Sequence, residues 1–329
     1  MWLDAFGRNI NYLRISVTDR CNLRCVYCMP RQGVQWQPLG DQLTVDEIAR
    51  VVAAAAQGGV NRVRITGGEP LVHPHIVEIV RRIAGTPGVE DVSLTTNGML
   101  LERLAQPLAE AGLRRVNVSL DTLDAGKFQR ITRGGRIERV WNGIAAAGRA
   151  GLSPIKLNTV IVRGLNNDEL RPLAWLTVEN EWHVRFIEVM PIGNVQDWGP
   201  GFPGADERYV PVQEMRDALA GLRLEPAAGP SGSGPARTYR IPGALGTVGF
   251  ISPLGEHFCE SCNRLRLTSD GKLRPCLALA NEVSLREALR AGQPVGELIG
   301  RAVAGKPARH EMVASVSAAS QRSMSQIGG

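Results

Sequence analysis

The stretch LRISVTDRCNLRCVYCMP, residues 13–30, decides how the rest of the chain is read. It opens with a short β-branched run, LRISV (13–17), of the kind that forms a strand. Just beyond it stand Cys21, Cys25 and Cys28, spaced C-x3-C-x2-C. Three to four residues of extended chain span at most roughly 10–14 Å, so the three sulfurs can converge on one small inorganic body. On spacing alone they could be a redox pair with a spare thiol, a zinc knuckle or a cradle for an iron–sulfur cluster.

Working outward, the same strand grammar repeats. RVRIT (62–66), DVSLT (91–95), RVNVSL (115–120), PIKLNTVIV (154–162) and VRFIEV (184–189) read as further strands. Amphipathic runs such as TVDEIARVVAAAAQ, HIVEIVRRIA, LERLAQPLAEA and RIERVWNGIAAAGRA separate them. Strand and helix alternating about six times predict an α/β fold with a parallel sheet and crossover helices. Polar residues gather where those strands end: the cysteines after the first, GGEP (67–70) after the second, Thr96, Asn97 and Gly98 after the third. Ser119 and Asp121 close the fourth, Lys156 and Asn158 lie along the fifth, and Met190 follows the sixth. In parallel β/α folds ligands and chemistry collect at those carboxyl ends.

Beyond about residue 200 the pattern changes. WGPGFPG and EPAAGPSGSGPAR, which contains the Pro/Gly-rich 226–236 loop, punctuate the chain. After them come the short strands of TYRIPGALGTVGFISP, a second cysteine set in CESCNRLRLTSDGKLRPC, and a helical SLREALRAG. This predicts residues 1–204 as a β/α unit and 205–329 as a smaller C-terminal α+β unit, too loop-rich for a large core and suited to a metal staple.

Composition agrees with a folded chain. Of 329 residues, 43% are hydrophobic, enough for a proper core. No apolar run approaches the roughly 18 residues needed to span a bilayer, and the N-terminus lacks the basic and apolar regions of a signal peptide. Cytoplasmic residence is the default expectation. The formal charge of +6 suits a polyanionic partner, but an Arg-, Ala- and Gly-rich chain of this kind also arises from base composition. The six cysteines fall into two triples, Cys21, Cys25, Cys28 and Cys259, Cys262, Cys276, with none left over. In a reducing compartment such clusters point to metal binding or catalysis.

A structural zinc site wants a fourth ligand, and a 4Fe-4S cluster normally takes four thiolates. Given only three, one iron stays open to bind something else, which turns an electron carrier into a catalyst. C-x3-C-x-aromatic-C after the first strand, followed by GGEP after the second, resembles the radical S-adenosylmethionine enzymes. The second triple, C-x2-C-x13-C, narrows the likeness. TDRCNLRCVYC, RITGGEPL, LTTNG, NVSLDTL, ITRGG, PIKLNTV, RFIEVMPIG, FISPLGEHFCESCNRLRLTSDGKLRPCL and the ending SMSQIGG are similar, in this order, to the cyclic pyranopterin monophosphate synthase family. Those enzymes are the GTP 3′,8-cyclases that begin molybdenum cofactor biosynthesis.

The resemblance implies an incomplete (βα)6 TIM-like barrel and two 4Fe-4S clusters. The first cluster would sit on Cys21, Cys25 and Cys28 and bind S-adenosylmethionine, whose reductive cleavage releases a 5′-deoxyadenosyl radical. The second, on Cys259, Cys262 and Cys276, would present its open iron to the guanine of GTP. The radical removes hydrogen from the ribose 3′ carbon, which then attacks carbon 8. Carried over position by position, Tyr27, Gly68, Ser119 and Met190 would bind S-adenosylmethionine, with Asn97 and Asp121 close by. Arg14, Arg64, Thr95, Lys156, Arg264, Leu265 and Arg266 would bind GTP, and Arg185 with the terminal Gly328 and Gly329 would serve catalysis. Gly68 is expected because only glycine lets backbone donors approach a ligand closely, and Arg264 and Arg266 because their alternation puts both on one strand face. Arg62 departs from the family, where lysine is common. The partners implied are GTP, a low-potential electron donor and, functionally, the next enzyme of the molybdopterin pathway. A homodimer is allowed, and no nucleic-acid or membrane partner is expected.

Two other readings compete. One is a radical enzyme acting on a peptide or RNA, its second cluster carrying electrons. The other is a zinc protein that binds nucleic acid, its second triple completed by His257.

Overall fold

A computed structural model describes residues 1–192, 198–230, 234–313 and 322–328. Six strands form in the order the sequence predicts: β1 (Tyr12–Ser16), β2 (Arg62–Thr66), β3 (Asp91–Thr96), β4 (Arg115–Ser119), β5 (Lys156–Ile161) and β6 (His183–Glu188). Each pairs in parallel with the next. The crossovers are carried by α1 (Val45–Gln57), α2 (Ile76–Ala84), α3 (Leu101–Glu110), then α4 (Ala125–Thr132) with α5 (Ile137–Arg149), and α6 (Leu170–Glu179). α1 starts where Thr44 and Glu47 cap each other reciprocally, Thr44 N to Glu47 Oε2 at 2.8 Å and Glu47 N to Thr44 Oγ1 at 3.2 Å. The sequence reading had not singled out α4. Its signal is Asp124, whose carboxylate caps Lys127 N at 2.6 Å.

The chain then adds α7 (Val212–Ala218), the hairpin β7 (Glu225–Pro226) and β8 (Arg237–Arg240), β9 (Thr247–Ile251), β10 (Arg264–Leu267), β11 (Lys272–Arg274) and β12 (Val283–Ser284). α8 (Arg286–Arg290), α9 (Gly296–Ala304) and α10 (Met324–Ile327) follow. β9 joins β6 in parallel and β10 joins β1 in parallel, so strands from beyond residue 205 extend both edges of the sheet. The result is one open twelve-stranded sheet, ordered β12-β11-β10-β1-β2-β3-β4-β5-β6-β9-β8-β7.

One face of each central strand is apolar and packs under the helices: Leu13 and Ile15, Val63 and Ile65, Val116 and Val118, Leu157, Val184 and Phe186, Leu265 and Leu267 all belong to a single buried core. The residues between them face inward. A strand in an all-parallel sheet usually reads as a continuous hydrophobic run because both faces are covered by apolar groups. Here RVRIT and RLRL alternate instead, because the inner face lines a polar cavity. No helix among the described residues is long and apolar enough to cross a membrane.

Candidate active site

The inner faces of the strands and the loops at their carboxyl ends enclose a cavity of about 310 Å³. Both cysteine triples line it: Cys21, Cys25 and Cys28, and Cys259, Cys262 and Cys276. Loops from β1 and from the segment after β9 thus bring together ligands more than 200 positions apart.

The first triple sits on the loop that GGEP holds. Gly68 N donates to Thr18 O at 2.7 Å and Glu69 N to Arg20 O at 2.8 Å. A Cβ on Gly68 would lie 2.4 Å from Arg20 O and 2.5 Å from Asp19 O. The expectation that Gly68 is glycine so that its amide can approach a ligand is corrected here: the amide is used within the protein, and the missing side chain makes room for the backbone just ahead of Cys21. Glu69 is buried and accepts from Asn97 N and Thr96 Oγ1, each at 2.7 Å, and from Leu71 N at 3.0 Å. Burial raises its carboxyl to about 7 despite these donors. Asn97 in turn reaches Asn22 Oδ1 at 2.8 Å and Cys21 Sγ at 3.9 Å.

Tyr27 donates its hydroxyl to Asp121 Oδ2 at 2.6 Å, and Asp121 Oδ1 accepts from Val160 N at 2.9 Å. Burial raises Asp121 to about 6 and holds Tyr27 well above the usual phenol range. Ser119 and Met190 complete this side of the wall.

The donor sets themselves test whether the clusters fit. Burial pushes Cys21 up to about 11; burial first and then the neighbouring thiol push Cys28 up to about 12, and the same causes hold Cys25 well above the usual thiol range. Three thiolates this close are unfavourable by themselves and become favourable around a cationic body. Hydrogen bonds to sulfur are already in place from Leu23 N to Cys21 at 3.4 Å and from the Ser325 backbone to Cys28. At the second triple, burial also raises Cys262, but Arg264 and Lys306 outweigh it and bring the thiol down to about 6. Among the described residues neither triple forms a group tight enough for a single metal ion, which suits a larger inorganic cluster on each.

The cations form the floor. Arg266 of β10, Arg14 of β1 and Arg64 of β2 stand in one lateral register. Neighbouring strands lie about 4.8 Å apart, so three like charges are stacked side by side, Arg64 and Arg266 buried and Arg14 half-buried. Arg64 Nε reaches Ser93 Oγ at 3.3 Å, while its Nη2 is buried without a partner among the described residues. Arg185 Nη2 donates to Asn117 Oδ1 at 2.7 Å, with Nε likewise unmatched. Thr95 Oγ1 and Asn158 Oδ1, also lining the cavity, are buried and unmatched too. Lys156 is pushed down to about 6 by burial and by Arg185, Arg115 and Arg64. Guanidinium groups keep their protons, so this cationic floor is held against its own repulsion. The cavity carboxylates Glu69, Asp121 and Glu188 are each occupied by protein donors.

Arg264 lines the cavity beside the second triple, but Leu265 points the other way, into the apolar core, as strand alternation requires. Neither Lys156 nor Arg62 is among the residues that line the cavity. The C-terminal residues come back to the wall: Gly328 takes a left-handed φ of 68°, its carbonyl accepts from Arg266 Nη1 at 2.7 Å, and a Cβ there would stand 2.3 Å from Thr66 Oγ1. Gly329 lies outside the described residues, as do 231–233 of the 226–236 loop, whose Gly234 and Pro235 line the cavity.

Three features escaped the sequence reading. Glu188, the last residue of β6, is fully buried and accepts from Tyr209 Oη, Val212 N, Ser252 Oγ, Leu254 N and Gly255 N. It anchors the loop that leads to Cys259. A carboxylate ending an otherwise apolar run, FIEV, was the available signal. Lys306 donates to Arg264 O at 2.9 Å and Pro275 O at 2.8 Å, tying together two segments that carry second-triple cysteines. Arg8, paired with Asp4, donates to Cys259 O at 2.8 Å, Ala308 O at 3.1 Å and Pro307 O at 2.6 Å; nothing local in LDAFGRN announces this.

Comparison with known proteins agrees with the architecture. Residues 15–174 match the family model of the radical SAM superfamily, and 182–312 that of Molybdenum Cofactor Synthesis C. The GTP 3′,8-cyclase of Pelotomaculum thermopropionicum is 53% identical, with 99% of each chain covered. That of Moorella thermoacetica is 50% identical, again with 99% of each covered. Among solved structures, Streptococcus suis SuiB bound to S-adenosylmethionine has a TM-score of 0.59 at 16% identity, over 88% of this chain and 68% of that one. Native anSMEcpe with bound AdoMet has a TM-score of 0.55 at 14% identity, over 92% and 82%; at such identities the likeness is one of fold. Two cysteine triples facing one cavity, on a sheet of this order and with relatives this similar along the full chain, leave one assignment: the chain belongs to the radical SAM superfamily and, within it, to the GTP 3′,8-cyclase family.

Proposed function

We propose that this chain converts GTP to its 3′,8-cyclised product, the entry step of molybdenum cofactor biosynthesis, with the residues described above in defined roles. The observation that carries the assignment of roles is the shared cavity: both cysteine sets line one space of about 310 Å³ together with a row of arginines. Cys21, Cys25 and Cys28 would hold the first cluster, and Tyr27, Gly68, Ser119 and Met190 would bind S-adenosylmethionine. Cys259, Cys262 and Cys276 hold the second. When bound, the first cluster and S-adenosylmethionine would supply a 5′-deoxyadenosyl radical, and the second would supply Lewis-acid binding for the substrate.

The protein's own part is positioning and insulation. Arg14, Arg64 and Arg266 offer the planar donor forks that match phosphate oxygens, and a triphosphate relieves their mutual repulsion. Arg185, Thr95 and Arg264 extend this grip along the cavity wall, and the buried Lys156 adds its charge from behind the lining. The unmatched Thr95 and Asn158 oxygens mark where ligand donors belong, since buried polar atoms seldom stay unpaired. Tyr27, fixed by Asp121, keeps the first side of the cavity rigid. Apolar side chains such as Leu23, Val160 and Ile187 line the space between and keep water from a reactive centre. Arg266 holds Gly328 at the wall, where a side chain would not fit. The 205–329 segment supplies the second metal site and the closing residues. A low-potential donor feeds the reaction, and its product passes to the next molybdopterin-pathway enzyme.

The test is substrate selectivity under anaerobic conditions. With both clusters reconstituted and reductant present, GTP gives a cyclised product with 5′-deoxyadenosine in equal amounts, and ATP or GDP gives far less. Equal turnover of ATP, or of an unrelated peptide, would overturn the assignment.

A further inference from the structure

Among the described residues, one set of three ligand-type side chains is close enough to hold a single metal ion, and it is neither cysteine triple. His257, Cys259 and His310 place their ligand atoms within 4.8 Å of one another. The two rings meet edge to face, with centroids 4.8 Å apart. His257 Nδ1 is buried without a partner, a state that native structures rarely leave unexplained. His310 is buried, and its Nδ1 has only a long contact from Met312 N at 3.3 Å.

The ligands come from two segments: His257 and Cys259 from the loop entering the second cysteine set, His310 from beyond α9. Arg8 stitches those segments together by donating to the Cys259, Pro307 and Ala308 carbonyls. The trio is therefore held in place by a group that is not itself a ligand. Cys259 and His310 line the main cavity, while His257 lines a neighbouring one of about 360 Å³, so a fourth position is open to water.

Two imidazoles, one thiolate and an open position make the donor set of a zinc-class ion. We propose that His257, Cys259 and His310 bind one Zn²⁺ in the chain before its second cluster is built. Because Cys259 serves both, the ion and the second cluster exclude each other. Zinc then arrests loading of the second cysteine set and leaves the first set untouched.

Cobalt is the probe. The full chain carrying Cys21→Ser, Cys25→Ser and Cys28→Ser, made without iron and kept under argon, is titrated with Co²⁺. One equivalent binds, with a thiolate-to-cobalt band and tetrahedral d–d bands that Zn²⁺ abolishes. His257→Gln and His310→Gln each reduce this from one equivalent to none at the same cobalt concentration, whereas Cys262→Ser and Cys276→Ser retain it. Cobalt binding that survives both histidine changes, or is lost in Cys262→Ser, places the ion on the cysteine triple and overturns the proposal; so does no binding at all. Near-ultraviolet circular dichroism checks the fold of each variant. A second measurement needs no variant: one equivalent of Zn²⁺ given to the unaltered chain before reconstitution lowers iron uptake from about eight per chain to about four. Full uptake in the presence of that zinc refutes the exclusion, and the cobalt arm stands whether or not GTP is the substrate.

Discussion

Arg8→Ala is the most informative structural perturbation, because the residue belongs to neither cysteine set and reaches the second through the Cys259 carbonyl. Its guanidinium pairs with Asp4, the two side chains being 8% and 0% exposed. Burial raises the Asp4 carboxyl, but the bonds from Arg8 and Phe6 outweigh it and hold it below the usual range. Breaking a buried pair by removing one partner leaves the other charge stranded and costs about 3–5 kcal/mol. That is a large share of the roughly 5–15 kcal/mol by which folded domains are stable. Three carbonyls, of Cys259, Pro307 and Ala308, lose their donor at the same time. The expected result is a lower urea midpoint and iron uptake falling from about eight toward about four per chain, with the first cluster's paramagnetic signal intact. Asp4→Ala together with Arg8→Ala should cost clearly less than the two single changes summed, since the stranded charge is gone. Strict additivity, or a variant that loads both clusters normally, would refute the argument that this clamp positions the second site.

Gly68→Ala drives a Cβ to within 2.5 Å of the Asp19 and Arg20 carbonyls; it should abolish the first cluster and spare the second, as iron content and electron paramagnetic resonance would report. Gly328→Ala meets Thr66 Oγ1 at 2.3 Å from a left-handed backbone. Both clusters should load while cyclisation is lost, and normal turnover would count against the closing role of the terminus. Lys156 supplies a pH test: its folded pKa, about 6, lies below the ordinary lysine value, so the unfolded chain binds more protons between the two, and the nucleotide-free protein gains stability as pH rises through that window. A bound triphosphate restores the charge, so GTP binding at pH 8 should take up a proton. Calorimetry in two buffers of different ionisation enthalpy reads that uptake, and Lys156→Met should remove it.

What the sequence made legible follows from periodicity and spacing. The six central strands are found within about two residues of their expected ends, because β-branched runs bounded by helical amphipathic stretches have few alternatives. Cysteine spacing picked out both triples, and the structure brings them to one cavity. The inner face could have been read further: the alternation noticed at Arg264 and Arg266 also runs through Arg62-Val63-Arg64-Ile65-Thr66, and the same rule turns Leu265 away from the cavity. Other features depend on contacts between distant segments. No local pattern says that Arg8 will meet Cys259, that His310 will approach His257, or that β9 and β10 will extend opposite edges of one sheet. Gly68 teaches a different lesson: its motif marks it as a place of close approach, and in the structure that approach is to the backbone of Asp19 and Arg20.

The central claim, that a radical made at the first cysteine set acts on the ribose of GTP held toward the second, is tested most directly by isotope transfer. GTP deuterated at the ribose 3′ carbon is turned over anaerobically with the reconstituted protein, S-adenosylmethionine and reductant, and the products are weighed by mass spectrometry. Deuterium in 5′-deoxyadenosine, together with a cyclised product lacking it, is the predicted result. Unlabelled 5′-deoxyadenosine beside unchanged GTP would contradict the account.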